Sequence, residues 1–292
     1  MGNLEQISEF KAELGEGPVW DHYNNVLYWV DIEGEKLLKY NPDTSEEKIF
    51  HIGIRTGAAV LIKSGTLLLA TETGFYEWEE KTERLTFISD PEEKKDGNRF
   101  NDGKVDPHGR FWAGTMSLHG ESGTGSLYRL NHDYSIETVK TNVTISNGLA
   151  WVPDGSKMYY IDTPTKKVQV FDLNRDTGEI VNEATAFHVP ENEGRPDGMT
   201  IDEEGMLWIA HFNGSQVARW NPATGEKMDS IQMPVSLCTS CTFGGPERKD
   251  LYITTAKMIF SEEERRMQPE AGGLFRISLD IKGAPSYTFK KS

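Results

Sequence analysis

One short segment pattern recurs six times along the 292-residue chain, and it limits the possible folds more than any other feature. Each copy is a strand-like run rich in aromatic and aliphatic residues, and a polar or glycine-bearing turn precedes most copies. The copies recur at intervals of 40 to 49 residues. They are VLYWVD at 26–31, TLLLAT at 66–71, RFWAGT at 110–115, KMYYID at 157–162, MLWIAH at 206–211 and DLYITT at 250–255.

A second strand pattern follows each copy, so that each unit has room for about four strands in 40–50 residues. Units of this size are typical of β-propeller blades. We therefore predict an all-β protein, a six-bladed β-propeller that uses residues 1–292 as one domain, since a two-sheet sandwich would not explain six copies. Few residues follow Ile277 in the last unit, so its remaining strand must come from elsewhere. Either the N-terminal segment 4–12 or PSYTF at 285–289 should supply that strand. Only residues 262–267 have a helical pattern.

Composition restricts the partners and the location of the protein. Acidic residues number 46 and basic residues 31, which gives a formal charge of −15. Such a surface is unsuited to nucleic acid and to anionic lipid, because both are bound through lysine and arginine. The N-terminus lacks the pattern of a signal peptide, and no apolar run reaches the ~20 residues of a membrane span. We expect a soluble cytoplasmic protein with no obligate protein partner.

The two cysteines, Cys238 and Cys241, form the motif CTSC. A zinc site normally needs four ligands, and the sequence has no second cysteine pair. We expect two reduced thiols in or beside a β-strand.

A polar residue followed by glycine stands at the head of the innermost strand in five of the six units. Equivalent positions in a ring of blades face the same axis, so these side chains should converge at one mouth of the central channel. A single pair of this kind would be explained as a turn, whereas five equivalent pairs favour a functional site. The pairs are Glu16-Gly17, Thr56-Gly57, Asp102-Gly103, Asn147-Gly148 and Asp197-Gly198, and the sixth unit has Ser240-Cys241.

The polar side chains of these pairs offer only oxygen atoms as ligands for a metal ion. Clustered carboxylates repel one another unless a cation or proton is shared. Oxygen ligands without sulfur or imidazole suit a hard divalent cation, and a few protein ligands leave positions open for water or substrate. The pattern therefore predicts a metal site at the mouth of the central channel.

Further polar residues are candidates for substrate binding. Arg99 and Asn101 flank Asp102 and offer donors suited to sugar hydroxyls or a carboxylate, with a salt bridge and a turn as the alternative. His119, in the loop SLHGESGTG, is expected near the channel mouth, with a surface loop as the alternative.

Ordered motifs over residues 15–277 resemble the SMP-30/gluconolactonase/LRE family of regucalcin-like sugar lactonases. The motifs include GEGPVWD, RFNDGKVDPHGRFWAGTM, SNGLAW, PDGMTIDEEGMLWIA, TSCTFGG and QPEAGGLFRI. The resemblance implies a six-bladed propeller, one divalent cation at the channel mouth, and hydrolysis of sugar lactones.

The resemblance also assigns roles to individual residues. It implies that Glu16, Asn147 and Asp197 bind the metal, that Asp197 is also the acid/base, and that Arg99 and Asn101 contact substrate. Animal members have a substrate-contacting glutamate at a position that corresponds to His119, and the adjoining loop is shorter here.

Our hypothesis is a metal-dependent sugar lactone hydrolase that opens an aldono-lactone to the aldonic acid. The cation would be calcium, zinc, magnesium or manganese. Asp197 would take a proton from the attacking water and return it to the leaving ring oxygen, with Asp102 as the alternative base or as the group that holds a water on the metal. Two other classes remain open, a calcium-binding regulatory protein without relevant turnover and a platform for protein interactions.

Overall fold

The computed structural model describes residues 2–95 and 97–292, which form six antiparallel sheets of four strands each. This confirms the predicted six-bladed β-propeller. The chain begins with a short strand, β1 (Glu5–Gln6), and then builds one blade after another.

The first three blades contain β2 to β13. These strands span Gly15–Asp21, Val26–Asp31, Lys36–Asn41, Glu46–His51, Thr56–Lys63, Thr66–Thr71, Gly74–Glu79, Arg84–Ser89, Asn98–Val105, Phe111–Ser117, Gly125–Leu130 and Ile136–Val143. The other three blades contain β14 to β24, which span Ser146–Trp151, Lys157–Asp162, Lys167–Leu173, Ile180–His188, Arg195–Ile201, Leu207–Phe212, Gln216–Asn221, Glu226–Gln232, Cys238–Gly244, Asp250–Thr255 and Phe275–Ser278.

In the part of the chain that the structure describes, helical structure is confined to short segments. The α-helix α1 (Glu262–Met267) has the predicted bounds, and Ser261 caps it together with Glu264. Single 3₁₀ turns occupy Thr163–Thr165 and Glu191–Glu193.

The innermost strands β2, β6, β10, β14, β18 and β22 each contact the innermost strand of the next blade, and β22 contacts β2 to close the ring. Every blade then runs outward from the axis. The second strand of each blade, counted from the axis, is covered by the neighbouring blades on both faces of its sheet. In β3 and β7 every residue is buried. The fourth strands are largely exposed, as in β9 and β21. Burial on both faces explains the nearly continuous apolar runs of the six repeated segments.

Aspartates in two blades connect the turn before the second strand to a buried tryptophan. Asp106 accepts hydrogen bonds from the backbone of His108 (2.9 Å) and from the indole of Trp112 (3.0 Å). In the fifth blade, Asp202 accepts in the same way from Glu204 (3.0 Å) and Trp208 (3.0 Å). These two buried acids are structural, because each has several donors from its own blade.

The sixth blade joins the two ends of the chain. Its strand order is β1-β24-β23-β22, and Glu5 pairs with Arg276. The N-terminal segment therefore completes this blade, which was one of the two predicted possibilities. Residues 285–289 form no strand and instead cross the axis at the end of the innermost strands, where Ala284 N donates to Ile201 O (3.0 Å) and Phe289 N donates to Leu61 O (2.7 Å).

Cys238 and Cys241 are buried free thiols on β22, as predicted. Within residues 2–95 and 97–292, no helix has the length and apolar character that a membrane span requires.

Candidate active site

All six innermost strands have a β-bulge close to their first residues. The polar residue of each predicted pair lies within the bulge or at its edge. A bulge turns a side chain away from the regular alternation of a strand, so the same local distortion directs all six polar side chains. The register shifts lie between Glu16/Val19, Thr56/Ala58, Phe100/Gly103, Asn147/Leu149, Pro196/Met199 and Cys238/Ser240.

The glycine that follows the polar residue permits adjacent innermost strands to approach closely. A Cβ atom on Gly57 would lie 2.6 Å from the carbonyl oxygen of Asn101, and one on Gly148 would lie 2.7 Å from that of Asp197. Neither distance is compatible with a real side chain, so glycine is needed at these contacts between blades.

Three carboxylates are buried at this mouth of the channel. The exposed fractions are 3% for Glu16, 3% for Asp102 and 7% for Asp197. Burial, followed by the charge of Asp102, raises the pKa of Glu16 to about 8. Burial, followed by the charges of Glu16 and Asp102, raises the pKa of Asp197 well above its ordinary value. Burial also raises the pKa of Asp102, although Lys104 and the Gly103 N–H act in the opposite direction. The cluster therefore has an unfavourable excess of negative charge when all three groups are ionised.

The oxygen atoms of the predicted metal ligands are incompletely bonded by the protein. Asp197 Oδ1 is buried and has no hydrogen-bond partner in the described part of the chain. Glu16 Oε2 accepts from the N–H of Gly17 (2.9 Å). Asn147 Oδ1 accepts from Asn101 Nδ2 (3.2 Å). An unpartnered buried carboxylate oxygen, an amide oxygen and mutually repelling carboxylates form a donor set that suits a hard divalent cation.

Across residues 2–95 and 97–292, no group of three or more histidine, cysteine, aspartate or glutamate side chains is placed to hold a metal ion. The predicted ligand set contains only two carboxylates, Glu16 and Asp197, so it depends on the amide of Asn147 as its third member.

Arg99 and Asn101 are each 6% exposed, and both belong to the same buried group. Arg99 Nη1 donates to Asn101 Oδ1 (2.7 Å) and to Phe100 O (3.0 Å). Asn101 Nδ2 in turn donates to Ser146 O (2.8 Å) as well as to Asn147. Asn101 therefore connects the guanidinium group to the predicted metal ligand of the fourth blade. Burial lowers the pKa of Arg99, and the charges of Glu33 and Glu16 partly offset this effect.

His119 lies outside the buried group. It is an exposed residue in the turn after β11, and its N–H donates to Ser117 Oγ (3.0 Å). Its ring lies beside Gly97, two residues before Arg99 along the chain. The histidine is thus at the correct end of the third blade, and its role in substrate binding stays a prediction.

Two further polar residues of the site, the half-buried Lys104 and the buried Thr163, were absent from the predicted set. Lys104 Nζ donates to Met199 O of β18, and burial lowers its pKa while Asp102 opposes this effect. Lys104 follows Asp102 in the motif NDGK, which was a usable signal. Thr163 Oγ1 accepts from Asn147 Nδ2 (2.9 Å), and it lies in a connection between strands that carries no repeated motif.

Comparisons with known proteins identify the family of the chain. The model of the SMP-30/Gluconolactonase/LRE-like region matches residues 14–257. A Bacillus subtilis protein provisionally named sugar lactone lactonase YvrE is 40% identical over 276 residues, 94% of each chain. Regucalcin of Xenopus laevis is 39% identical over 294 residues, 98% of each chain.

A solved structure supports the fold independently. The calcium-binding protein regucalcin of Agrobacterium tumefaciens superposes with a TM-score of 0.95 at 24% identity, and covers 99% of this chain and 97% of its own. The chain belongs to the SMP-30/gluconolactonase/LRE family.

Proposed function

We propose that the protein is a metal-dependent hydrolase of sugar lactones, which opens an aldono-lactone to its aldonic acid. The observation that carries this proposal is the buried group at one channel mouth, in which the unpartnered Oδ1 of Asp197 accompanies two further carboxylates, an arginine and two asparagines. Family membership and the name of the Bacillus relative support the same reaction class.

Glu16, Asn147 and Asp197 would hold one divalent cation, which is calcium, zinc, magnesium or manganese. When bound, such a cation polarises a lactone carbonyl and lowers the pKa of water. Asp102 would hold a water molecule near the cation, and Lys104 supplies the adjacent positive charge.

The protein groups perform the remaining steps. Arg99 and Asn101 bind the hydroxyl groups of the sugar and orient the carbonyl toward the attacking water. Asp197 takes one proton from that water through a carboxylate oxygen. As the bond between the carbonyl carbon and the ring oxygen breaks, Asp197 returns the proton to that oxygen, and the free acid then ionises. The chemistry requires no nucleic acid, membrane or protein partner, and we place it in the cytoplasm.

The test follows acid release from glucono-1,5-lactone in a weakly buffered solution, with the spontaneous rate subtracted. Treatment with a chelator should abolish the enzymatic rate, because the cation that polarises the lactone carbonyl and lowers the pKa of water would then be absent. Calcium, zinc, magnesium or manganese should restore it. A chelated protein with full activity would contradict the proposal.

A calcium-binding role without relevant turnover is the second candidate. It is favoured by the similar fold of the Agrobacterium regucalcin, which is a calcium-binding protein. Tight calcium binding together with no hydrolysis of any aldono-lactone, tested with each of the four metals, would favour this role over catalysis.

A further inference from the structure

We propose that Thr163 is a positioning residue, which holds the amide of Asn147 with its oxygen toward the metal site and couples this ligand to Asp197. The inference rests on the proposed metal site. It concerns a residue to which neither the repeat nor the family resemblance assigned a role.

A continuous chain of hydrogen bonds joins three blades at the channel mouth. Arg99 Nη1 donates to Asn101 Oδ1, and Asn101 Nδ2 donates to Asn147 Oδ1 (3.2 Å). Asn147 Nδ2 donates to Thr163 Oγ1 (2.9 Å), and Thr163 Oγ1 donates to Pro196 O (2.8 Å). Arg99 and Asn101 are on β10, Asn147 is on β14 and Pro196 is on β18.

The two ends of this chain determine its direction. An arginine side chain can only donate, and a backbone carbonyl can only accept. Because Thr163 gives its single hydroxyl hydrogen to Pro196 O, its oxygen can only accept from Asn147. The group of Asn147 that faces Thr163 must then be the NH₂ group.

The same reasoning applies from the other end. Asn101 faces the donor Arg99 and the acceptor Ser146 O, so its amide orientation is determined too. Asn147 Oδ1 is therefore the atom that faces the site. A rotation of the Asn147 amide by half a turn would place its NH₂ group opposite Asn101 Nδ2 and would leave no oxygen for a cation.

The position of Thr163 is itself rigid. Its side chain is 5% exposed, and its backbone N–H donates to Ile145 O (3.1 Å). Its hydroxyl acceptor, Pro196 O, immediately precedes Asp197. One hydroxyl group thus links the ligand of the fourth blade to the ligand of the fifth, and it is the kind of outer contact that tunes metal affinity.

The experiment measures the binding of manganese to metal-free protein by calorimetry. T163V removes the hydroxyl at nearly constant volume and should weaken binding by about 10- to 100-fold. T163S keeps the hydroxyl and should bind within about threefold of the wild-type protein. T163A is measured in parallel, so that a folding defect of the valine variant does not decide the outcome, and each variant is checked by thermal unfolding.

A second pair of variants separates orientation from general damage. In N147D the side chain presents an oxygen in either orientation, so orientation by Thr163 is no longer needed. We expect T163V or T163A to change manganese affinity by less than about threefold in the N147D protein. If the substitutions of Thr163 weakened manganese binding by the same factor in the wild-type and N147D proteins, Thr163 would have a merely structural role and the inference would be overturned.

The outcomes distinguish this inference from the function on which it rests. If the wild-type protein binds manganese and T163V and T163A bind equally well, only the role of Thr163 is wrong. If the wild-type protein binds no divalent cation, the proposed metal site is wrong, and this inference is overturned with it.

Discussion

Asp197 and Asp202 are only five residues apart, yet their surroundings give them opposite roles. Asp202 is a buried acid whose carboxylate accepts from backbone N–H groups, from Trp208 and from Arg219 (2.8 Å). Asp197 is also buried but has an oxygen without a partner, and burial together with the charges of Glu16 and Asp102 raises its pKa. Burial of an incompletely bonded carboxylate opposes folding, so this position is expected to be maintained for function rather than for stability.

The substitution D197N tests this distinction. We expect a fall in kcat/KM of at least about 100-fold, because a neutral amide cannot accept the proton of water. The metal-free variant should also unfold at a higher temperature than the metal-free wild-type protein, because one repelling charge is removed. Steady-state kinetics and thermal unfolding check the two expectations.

The matched control is D202N, which should be destabilised because it loses the acceptor of Trp208 and Arg219. Its folded fraction should keep its kcat/KM. If D197N were as destabilised as D202N and kept its activity, Asp197 would be a structural residue.

The pH dependence of stability follows from Glu16. Its pKa is about 8 in the folded protein, against an ordinary value of 4.5. Between these values the metal-free folded state retains a proton that the unfolded state has released. This contribution to stability is therefore complete below pH 4.5 and is lost as the pH rises through about 8.

We accordingly expect the metal-free protein to be less stable at pH 8.5 than at pH 5.5, on the order of a few kcal/mol. A divalent cation should stabilise it most at the higher pH, since bound ligands must be deprotonated. Urea unfolding at both pH values measures this change. E16Q should reduce the change in the free energy of unfolding between the two pH values. If E16Q left this change unaltered, groups other than Glu16 would be responsible for it.

Sequence analysis could identify the ring residues because they occupy equivalent positions in successive units. Each of the three predicted metal ligands is directly followed by a glycine, and these ligands are Glu16, Asn147 and Asp197. Thr163 could not be identified in this way, because its role depends on a hydrogen bond to a carbonyl group 33 residues away in another blade. Contacts of that kind have no local pattern.

At the scale of elements, four of the six second strands have the predicted bounds, and the other two end one or two residues later than predicted and also begin late for one shared reason. β11 begins at Phe111 and β19 at Leu207, one residue later than the repeated segments suggested. In both cases the residue before the strand closes an aspartate turn, since Arg110 N donates to Asp106 Oδ1 (3.0 Å) and Met206 N to Asp202 Oδ1 (2.9 Å). The bulges were not predicted, because they depend on pairing between strands.

Gly57 tests the close contact of β6 with β10. In G57A the new methyl group would meet the backbone of Asn101 at 2.6 Å, and a backbone cannot move without shifting the strand. We expect a loss of about 2–3 kcal/mol in the free energy of unfolding and a raised KM, because Asn101 is displaced. Urea unfolding and lactone kinetics provide the measurements.

G205A is the appropriate control for this variant. Gly205 has a φ of +80° with no atom within 4 Å of the added carbon, so only backbone strain of about 1 kcal/mol is expected. Its KM should be unchanged. Equal KM values for the two variants would argue against a link between strand spacing and the substrate site.

At the scale of the whole molecule, the sequence left two ways to close the ring because both termini carry strand-like segments. The structure uses the N-terminal segment for pairing and the C-terminal segment as a strap. After Ala284 contacts the fifth blade, Phe289 N donates to Leu61 O of the second blade, and Lys290 N donates to Gly109 O (2.9 Å) of the third. The strap thus joins blades that are distant around the ring, at the end of the channel opposite Glu16 and Asp197.

The anchor of this strap is Phe289, which is 2% exposed and stacks on Tyr134 with ring centroids 5.7 Å apart. F289A should lower the free energy of unfolding by about 3 kcal/mol. K291A removes the ion pair with Glu77 (2.8 Å) and the cation–π contact with Tyr134 (5.1 Å), and should cost about 1 kcal/mol. In both variants kcat/KM should remain unchanged, because the strap and the carboxylate group lie at opposite ends of the innermost strands. A reduced kcat/KM in fully folded F289A would show that the two ends are coupled, and a loss of stability no larger than that of K291A would show that the strap detaches without unfolding the ring.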